Sequence, residues 1–457
     1  MDWIRKKFIS YFREISPSQV MVIGFAGVIL IGSLLLKLPA ATASKTPLRY
    51  LDALFTATSA VCVTGLVVVD TGTYLSTFGQ VIVIILIQIG GLGFMTFSTM
   101  LAILAGKRIG LRERLLIQEA FNQYKLAGLV RLIKQVVKVT FLCEGTGALL
   151  LTLRFLYDMP IKQAILYGIF HAISAFCNAG FDLFGRIYAP FSSLTAYVGD
   201  WLVSLVIAFL IIIGGLGFPV LMDIKGHRSG RRLSLHSKIV LSSTGLLIIA
   251  GFFGFMLLEY TNPETLSHLP ISTKIISTFF QAVTPRTAGF NSLPIGKLRN
   301  STLLFMIIMM FIGASPSSTG GGIKTTTFGT ILATVWSMIK GKKETEVFER
   351  RLSNDVVLKA VTVSTISMSL VVLTTLLLNI TDQNMPFITL FFEATSAFGT
   401  VGLSTGITPL LSDLGRVLLI FTMFSGRVGL FTIIMAVTRS LQQTESVRFV
   451  EEKVIIG

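Results

Sequence analysis

Four glycines recur at one place in a repeated phrase, and their spacing is the first pointer to chemistry. Ser59-Ala60-Val61-Cys62-Val63-Thr64-Gly65-Leu66 returns as Ser174-Ala175-Phe176-Cys177-Asn178-Ala179-Gly180-Phe181 and as Ser396-Ala397-Phe398-Gly399-Thr400-Val401-Gly402-Leu403. A more divergent copy reads Val283-Thr284-Pro285-Arg286-Thr287-Ala288-Gly289-Phe290. Gly65, Gly180, Gly289 and Gly402 are 115, 109 and 113 residues apart. Glycine reaches backbone angles closed to other residues, so each copy can turn its carbonyls toward a common centre. A ring of such carbonyls replaces the hydration shell of an alkali cation. The residues that would supply it are Val63, Thr64, Gly65 and Leu66; Asn178, Ala179, Gly180 and Phe181; Thr287, Ala288, Gly289 and Phe290; and Thr400, Val401, Gly402 and Leu403.

The stretch Gly313-Ala314-Ser315-Pro316-Ser317-Ser318-Thr319-Gly320-Gly321-Gly322 interrupts an apolar run. Such a stretch cannot continue a helix, because Gly and Pro cost about 1 and 3 kcal/mol each in a helix interior. It is expected to form a loop under the carbonyl ring, where it can gate a path. Arg427 and Lys324 fall at the same depth: Arg427 either narrows the path or engages this loop, and Lys324 either tethers it or points to the cytoplasm. Glu144 reads as a helix-to-helix hydrogen-bonding group. Arg286 reads as a brace donating to loop carbonyls. Asp70, Asp182 and Asn291 are expected at the outer mouth, concentrating cations. Gly90-Gly91-Leu92-Gly93, Gly214-Gly215-Leu216-Gly217 and Gly426-Arg427-Val428-Gly429 read as small residues that let helices pack closely.

Other chemistries find little support. Cys62, Cys143 and Cys177 have no metal-ligand spacing and read as small hydrophobes. His171, His227, His236 and His268 are scattered. Gly321-Gly322-Ile323-Lys324-Thr325 resembles a phosphate loop, but that motif needs Gly directly before Lys, and Ile323 intervenes.

Positioning four glycines around one centre requires a scaffold, and the composition says which kind. The 457 residues are 52% hydrophobic and only 14% charged. That excludes a soluble enzyme, a disordered chain and a nucleic-acid binder, despite a net charge of +16. Apolar runs long enough to cross a bilayer fall near 20–38, 78–104, 134–157, 199–222, 238–259, 303–337, 359–380 and 414–438. Shorter apolar stretches near 50–62, 160–177, 272–284 and 386–399 suit re-entrant half-helices, each aiming a partly negative carbonyl end at its glycine. The expected fold is all-α and integral to the membrane. It has four tandem units of span, half-helix, loop and span, giving eight spans and four pore helices around a pseudo-fourfold pore. The units cover 1–105, 106–224, 225–339 with its broken second span, and 340–457 with a cytosolic tail. Basic residues crowd into 1–18, 106–138, 225–238, 340–359 and 439–457, which places both termini in the cytoplasm of a multi-pass plasma-membrane protein. The run from Val20 to Leu36 reads as a retained first helix and not a cleaved signal.

The motifs around Gly65, Gly180, Gly289 and Gly402, with His171–Gly180 and Gln281–Ser292, resemble the Trk/Ktr/HKT superfamily of potassium and sodium transporters across nearly the whole chain. They are most similar to the membrane subunits of its bacterial Ktr branch. The resemblance implies that one glycine per repeat forms a potassium filter. Sodium-selective plant members carry serine where Gly65 stands. It also implies that Gly313–Gly322 is an intramembrane gate and that Arg427 is the pore-facing arginine. Trk members carry two further N-terminal helices, whereas the first span here opens at Val20, so the Ktr branch fits. The resemblance further implies a homodimer in the lipid bilayer, seated on a cytosolic ring of nucleotide-binding RCK-type subunits. The chain itself would then need no cofactor, carry potassium as its substrate, hold no nucleotide and bind no nucleic acid. The competing reading is an ion-coupled transporter of an organic solute, which also uses broken helices but with inverted repeats and a roomier site. A membrane enzyme would need paired carboxylates, histidines or cysteines within one span, and the sequence offers none.

Overall fold

The computed structural model describes residues 16–93, 96, 97, 99, 100, 129–227 and 232–437. The basic segments at both ends, most of the loop before residue 129 and residues 228–231, all used above for orientation, lie outside the described residues.

Long helices alternate with short ones. The long ones are α1 (Pro17–Leu36), opened by a reciprocal Ser16–Gln19 cap, α4 (Leu129–Phe155), α8 (Leu235–Glu259) and α12 (Asn354–Thr381). Each is long and apolar enough to cross a membrane, with mean hydropathy between 1.6 and 2.3. The short helices are α2 (Tyr50–Val61), α5 (Ile161–Phe176), α9 (Ile271–Val283) and α13 (Phe387–Gly399). They stand where half-helices are expected. Pro160, Pro270 and Pro386 fix the entry into three of them. Their C-terminal ends are buried, as Ala57 to Val61 illustrate.

The second apolar run of each unit departs from the expected straight span. In the first unit α3 (Thr77–Leu92) stops at Gly93, which has φ 80°. In the second, α6 (Trp201–Leu216) turns by 96° at Gly217 into α7 (Phe218–His227). In the fourth, α14 (Asp413–Val428) turns by 92° at Gly429 into α15 (Leu430–Val437). In the third, α10 (Asn300–Phe311) and α11 (Thr325–Ile339) are separated by the Gly/Ser loop. Among the described residues four helices thus suffice singly to cross a membrane, and there are up to six spans if each bent pair counts as one. The glycine clusters therefore do two things where one was expected. Gly93, Gly217 and Gly429 sit at φ 80–90° and end the helices, while a Cβ on Gly90, Gly214 or Gly426 would strike the carbonyl oxygen of Val61, Phe176 or Phe398. A β-hairpin of Glu346–Val347 (β1) and Arg350–Arg351 (β2) precedes α12.

Packing closes the units into a cycle. Each long helix leans on its own short helix: α1 on α2, α4 on α5, α8 on α9 and α12 on α13. Each second helix packs on the next unit's short helix, α3 on α5, α6 on α9, α10 on α13, and α14 returns to α2. The closing seam carries ion pairs. Arg416 donates to Asp52 Oδ1 at 2.6 Å and to the Pro409 carbonyl at 2.8 Å, and Arg49 pairs with Asp413.

At the C-terminal end of α8, fully buried Glu259 gathers a connection. It accepts from Asn262 Nδ2 and Thr265 Oγ1 at 2.6 Å, from the Arg299 amide at 3.0 Å and from Thr302 Oγ1 at 2.5 Å. Glu259→Ala leaves these donors unmet, so about 3 kcal/mol should be lost. A melting temperature in detergent lower by several degrees checks this, and Glu264→Ala at the exposed neighbouring position should leave it unchanged.

Candidate functional site

Each short helix delivers its chain into the same turn. Two residues before each glycine the backbone is left-handed, at Val63 (φ 51°), Asn178 (59°), Thr287 (67°) and Thr400 (48°). The glycines follow at φ 90°, 68°, 80° and 90°. Val63, Thr287 and Thr400 are β-branched, the type least suited to that conformation, and such strain persists where the surroundings impose it. What imposes it is a serine or threonine at the end of the short helix, in its last turn or, for Thr284, at its C-cap. Thr64 N donates to the Ser59 carbonyl at 2.8 Å and Gly65 N to Ser59 Oγ at 3.0 Å. Val401 and Gly402 repeat the pair on Ser396 at 2.8 and 3.1 Å. Ala179 N bonds the Ser174 carbonyl at 2.8 Å and Ala288 N the Thr284 carbonyl at 3.0 Å. Ser174 Oγ and Thr284 Oγ1 donate onward to the Phe181 and Phe290 carbonyls at 2.8 and 2.5 Å.

With these N–H groups turned toward the helix ends, the four segments meet. A Cβ on Gly65 would strike the Ala179 carbonyl oxygen, one on Gly180 would lie 2.7 Å from the Ala288 oxygen, and one on Gly289 2.6 Å from the Val401 oxygen. One on Gly402 would strike the Thr64 oxygen. Every glycine thus abuts the carbonyl that precedes the next glycine, and the fourth returns to the first. Leu66, Phe181, Phe290 and Leu403 follow the glycines and are at most 1% exposed, wedged outside the ring. Such a closed set of main-chain oxygens is chemically suited to a cation and offers no donor array for an anion.

Residues 313–322 form a pinched loop directly against these turns. Its neck is held by Gly313 N on the Ile323 carbonyl at 2.8 Å and Ala314 N on the Gly321 carbonyl at 3.3 Å. It touches several units. Ser315 N and Thr319 N donate to the Gly215 and Gly214 carbonyls at 3.0 and 3.3 Å, and Phe218 N to the Ser317 carbonyl at 3.1 Å. Thr319 Oγ1 reaches the Phe176 carbonyl at 3.1 Å, and Gly321 N reaches Thr400 Oγ1 at 3.1 Å. A Cβ on Gly320 would strike Thr287 Oγ1. Within the loop Ser318 Oγ donates to the Ser315 carbonyl at 2.6 Å, and Thr325 Oγ1 to Ser315 Oγ at 2.9 Å. Pro316 lies against the Gly217 bend, and Gly322 takes φ 65° at the exit. The loop is anchored at many points, so any motion must break a defined set of bonds.

Two cations supply further anchors. Lys324 Nζ donates to the Gly320 carbonyl at 2.7 Å, so it tethers the loop. Arg427 donates Nη1 to the Thr319 carbonyl and Nη2 to the Gly90 carbonyl, with Gly91 O at 3.4 Å. Of its two expected roles the contact is with the loop, and the same side chain joins the end of α3.

Other expected positions need correction. Arg286 does not brace loop carbonyls: its Nη2 donates to Thr244 Oγ1 on α8 at 3.2 Å, because it projects outward from the end of α9. Asp70 does not face the mouth. It caps a short turn, accepting from Thr73 N at 2.7 Å and from the Phe191 amide at 2.8 Å, and is 7% exposed. Asp182 accepts from Phe184 N at 3.0 Å and Asn291 donates to the Leu293 carbonyl at 3.0 Å, so both shape their connections. Glu144 makes its interhelical contact with Gln88 Nε2 at 3.5 Å, and Cys177 Sγ completes the group at 3.8 Å, so this thiol is more than an apolar filler.

One layer escaped the sequence reading. Three residues before each helix-end hydroxyl stand Thr56, His171, Gln281 and Glu393, all at most 1% exposed. His171 Nε2 accepts from Leu183 N at 3.3 Å, and Glu393 accepts from Ser404 Oγ at 2.9 Å and from Thr408 Oγ1. His171 and Glu393 thus hold the segment beyond their glycine from behind, whereas Thr56 Oγ1 donates to the Asp52 carbonyl of its own helix. The repeat period points to the position, but four different residue types hide it.

Comparison with known proteins fits this geometry. A family model described as TrkH, cation transport protein, matches residues 11–449. The chain is 45% identical to Ktr system potassium uptake protein B of Bacillus subtilis, over 99% of each chain. It is 38% identical to potassium/sodium uptake protein NtpJ of Enterococcus hirae, over 97% of this chain and 98% of that one. The crystal structure of the potassium transporter TrkH from Vibrio parahaemolyticus superposes with a TM-score of 0.69, at 17% identity, over 91% of this chain and 84% of that one. With the family model spanning almost the entire sequence and relatives matching end to end, the chain belongs to the TrkH family of cation transport proteins, a family of multi-pass membrane proteins.

Proposed function

We propose that this chain is the ion-translocating subunit of a Ktr-type system that takes up potassium across the plasma membrane. The observation that carries the reading is the closed succession of Gly65, Gly180, Gly289 and Gly402 against one another's preceding carbonyls. A potassium ion sheds its water there and is held by main-chain oxygens of the four segments Val63–Leu66, Asn178–Phe181, Thr287–Phe290 and Thr400–Leu403. It then meets Gly313–Gly322, held shut by Lys324 and Arg427, and moves down its electrochemical gradient when the loop yields. The four tandem units take the boundaries 1–105, 106–224, 225–339 and 340–457. In each, the long helix and the second, often broken, run cross the bilayer and the short helix re-enters, with both termini cytoplasmic. The name of the Bacillus relative speaks of a Ktr system, which supports a regulatory partner of the RCK type that would hold the nucleotide, and a homodimer of this subunit. The organic-solute reading is not favoured, since glycines packed against neighbouring carbonyls leave no room for such a substrate.

Purified protein in liposomes tests this. Rubidium-86 uptake should be strong and should fall to background with excess potassium but not with amino acids. Suppression by an organic solute would overturn the reading. Sodium competition belongs in the same assay, because the Enterococcus relative is named for both ions.

A further inference from the structure

Beside the Gly313–Gly322 loop lies a cavity of about 70 Å³ that plays no part in the ion path described above. Its side-chain walls are Ile323, Val363, Ile366, Phe398, Leu430 and Phe431, and its floor is the backbone of Gly322, Gly426 and Gly429. No charged side chain lines it, and its polar side chains are the hydroxyls of Ser367 and Ser425. Most of the side-chain wall is hydrocarbon, which suits an apolar occupant, and Ser425 Oγ has no other hydrogen-bond partner. Phe431 in its wall is 37% exposed, and Ile434, about one turn further along α15, is 40% exposed. The cavity thus borders an apolar, partly exposed face of α15.

A second observation identifies the occupant. Lys359 Nζ lies 5.4 Å from the centre of the Phe431 ring, at the rim. Lys359, Val363, Ile366 and Ser367 are spaced i, i+4, i+7 and i+8, which places them on one stripe of α12. From Lys359 to Ser367 the helix rises about 12 Å. A phospholipid fits that stripe, with its phosphate on the ammonium group and an acyl chain running along Val363 and Ile366 into the cavity.

We propose that this is a lipid site: one acyl chain of a phospholipid, its phosphate at Lys359, inserts between α12 and α14 and rests against the exit of the Gly313–Gly322 loop. The location gives the contact a consequence. The chain would touch Gly322–Ile323, where the loop leaves its neck, and Gly429, where the helix bearing Arg427 bends. An occupied cavity props these two parts at their present separation. The lipid assignment stands apart from the ion reading, because labelling can test it without any flux.

The full-length protein would be reconstituted with phosphatidylglycerol carrying a photoactivatable diazirine on its acyl chain, illuminated, and mapped by mass spectrometry. Ile323 and Phe398 are only 4% and 3% exposed, so an adduct on either requires a chain inside the cavity. The expected result is adducts at Ile323 or Phe398 together with adducts on lipid-facing Leu373 and Leu376. Ser367→Phe should fill the space and lower the inner adducts at least fivefold while leaving Leu373 and Leu376 labelled, which also reports that the variant is folded. Lys359→Gln should lower inner labelling severalfold. Absence of inner adducts beside a labelled outer face, or inner adducts that survive Ser367→Phe, would overturn the site. Inner labelling unchanged by Lys359→Gln would remove the phosphate contact.

Discussion

Gly402→Ser should reduce rubidium uptake at least tenfold and erode the preference for potassium over sodium. Two costs act together. At φ 90° a side chain is strained by about 1–3 kcal/mol. The new Cβ would also lie 2.9 Å from Gly65 Cα and nearer still to the Thr64 oxygen, and overpacking costs about 1–3 kcal/mol more. Relief comes only by displacing the Thr64 carbonyl, one of the atoms assigned to the ion. Each 1.4 kcal/mol that reaches the transport barrier is about tenfold in rate. Gly27→Ala is the matched control: nothing lies within 4 Å of its new Cβ, and flux should not change. Normal uptake and normal selectivity in a folded Gly402→Ser protein would contradict the carbonyl-ring reading.

The second large effect runs in the opposite direction. Deleting Ser317–Gly320 should raise basal flux about tenfold, because it removes Gly320, packed against Thr287, and Thr319, bonded to the Phe176 carbonyl, while leaving the Gly313–Ile323 neck in place. Arg427→Gln should move flux the same way. The guanidinium holds the Thr319 carbonyl on one side and the Gly90 carbonyl on the other, and hydrogen bonds to a charged group contribute about 1.5–3 kcal/mol. Losing one of these shifts the balance between seated and displaced loop by roughly ten- to a hundredfold. Flux in liposomes, read beside a monodisperse elution profile, decides. A folded deletion protein with unchanged flux would remove the loop from the gating role.

The parts of this arrangement that sequence disclosed are those where one residue type is demanded by backbone geometry. Only glycine sits easily at the four turns, so its period survived and pointed to a shared centre. The Gly/Ser/Pro run at 313–322 marked a helix boundary for the same reason. Hydropathy alone misled at the second runs. Apolar content continues through Gly217 and Gly429, and nothing in it reports that the chain turns by 96° and 92° there. Those glycines were visible, but a glycine that packs and a glycine that bends look identical in a sequence. Side-chain direction was equally hidden. Arg286 and Asp70 are near the ring in number, yet Thr244 on the neighbouring long helix and the amide of Phe191 in the next unit decide where they point. The buried position shared by Thr56, His171, Gln281 and Glu393 was lost because four different residue types occupy it, and only His171 and Glu393 bond the segment beyond their glycine.

Density for the ion itself is the most direct arbiter. Crystals or particles prepared in rubidium or thallium should show a strong peak bounded by the carbonyl oxygens of Thr64, Ala179, Ala288 and Val401, and Gly402→Ser should weaken it. An empty centre with those oxygens turned aside, or a cation bound only elsewhere in the chain, would contradict the account.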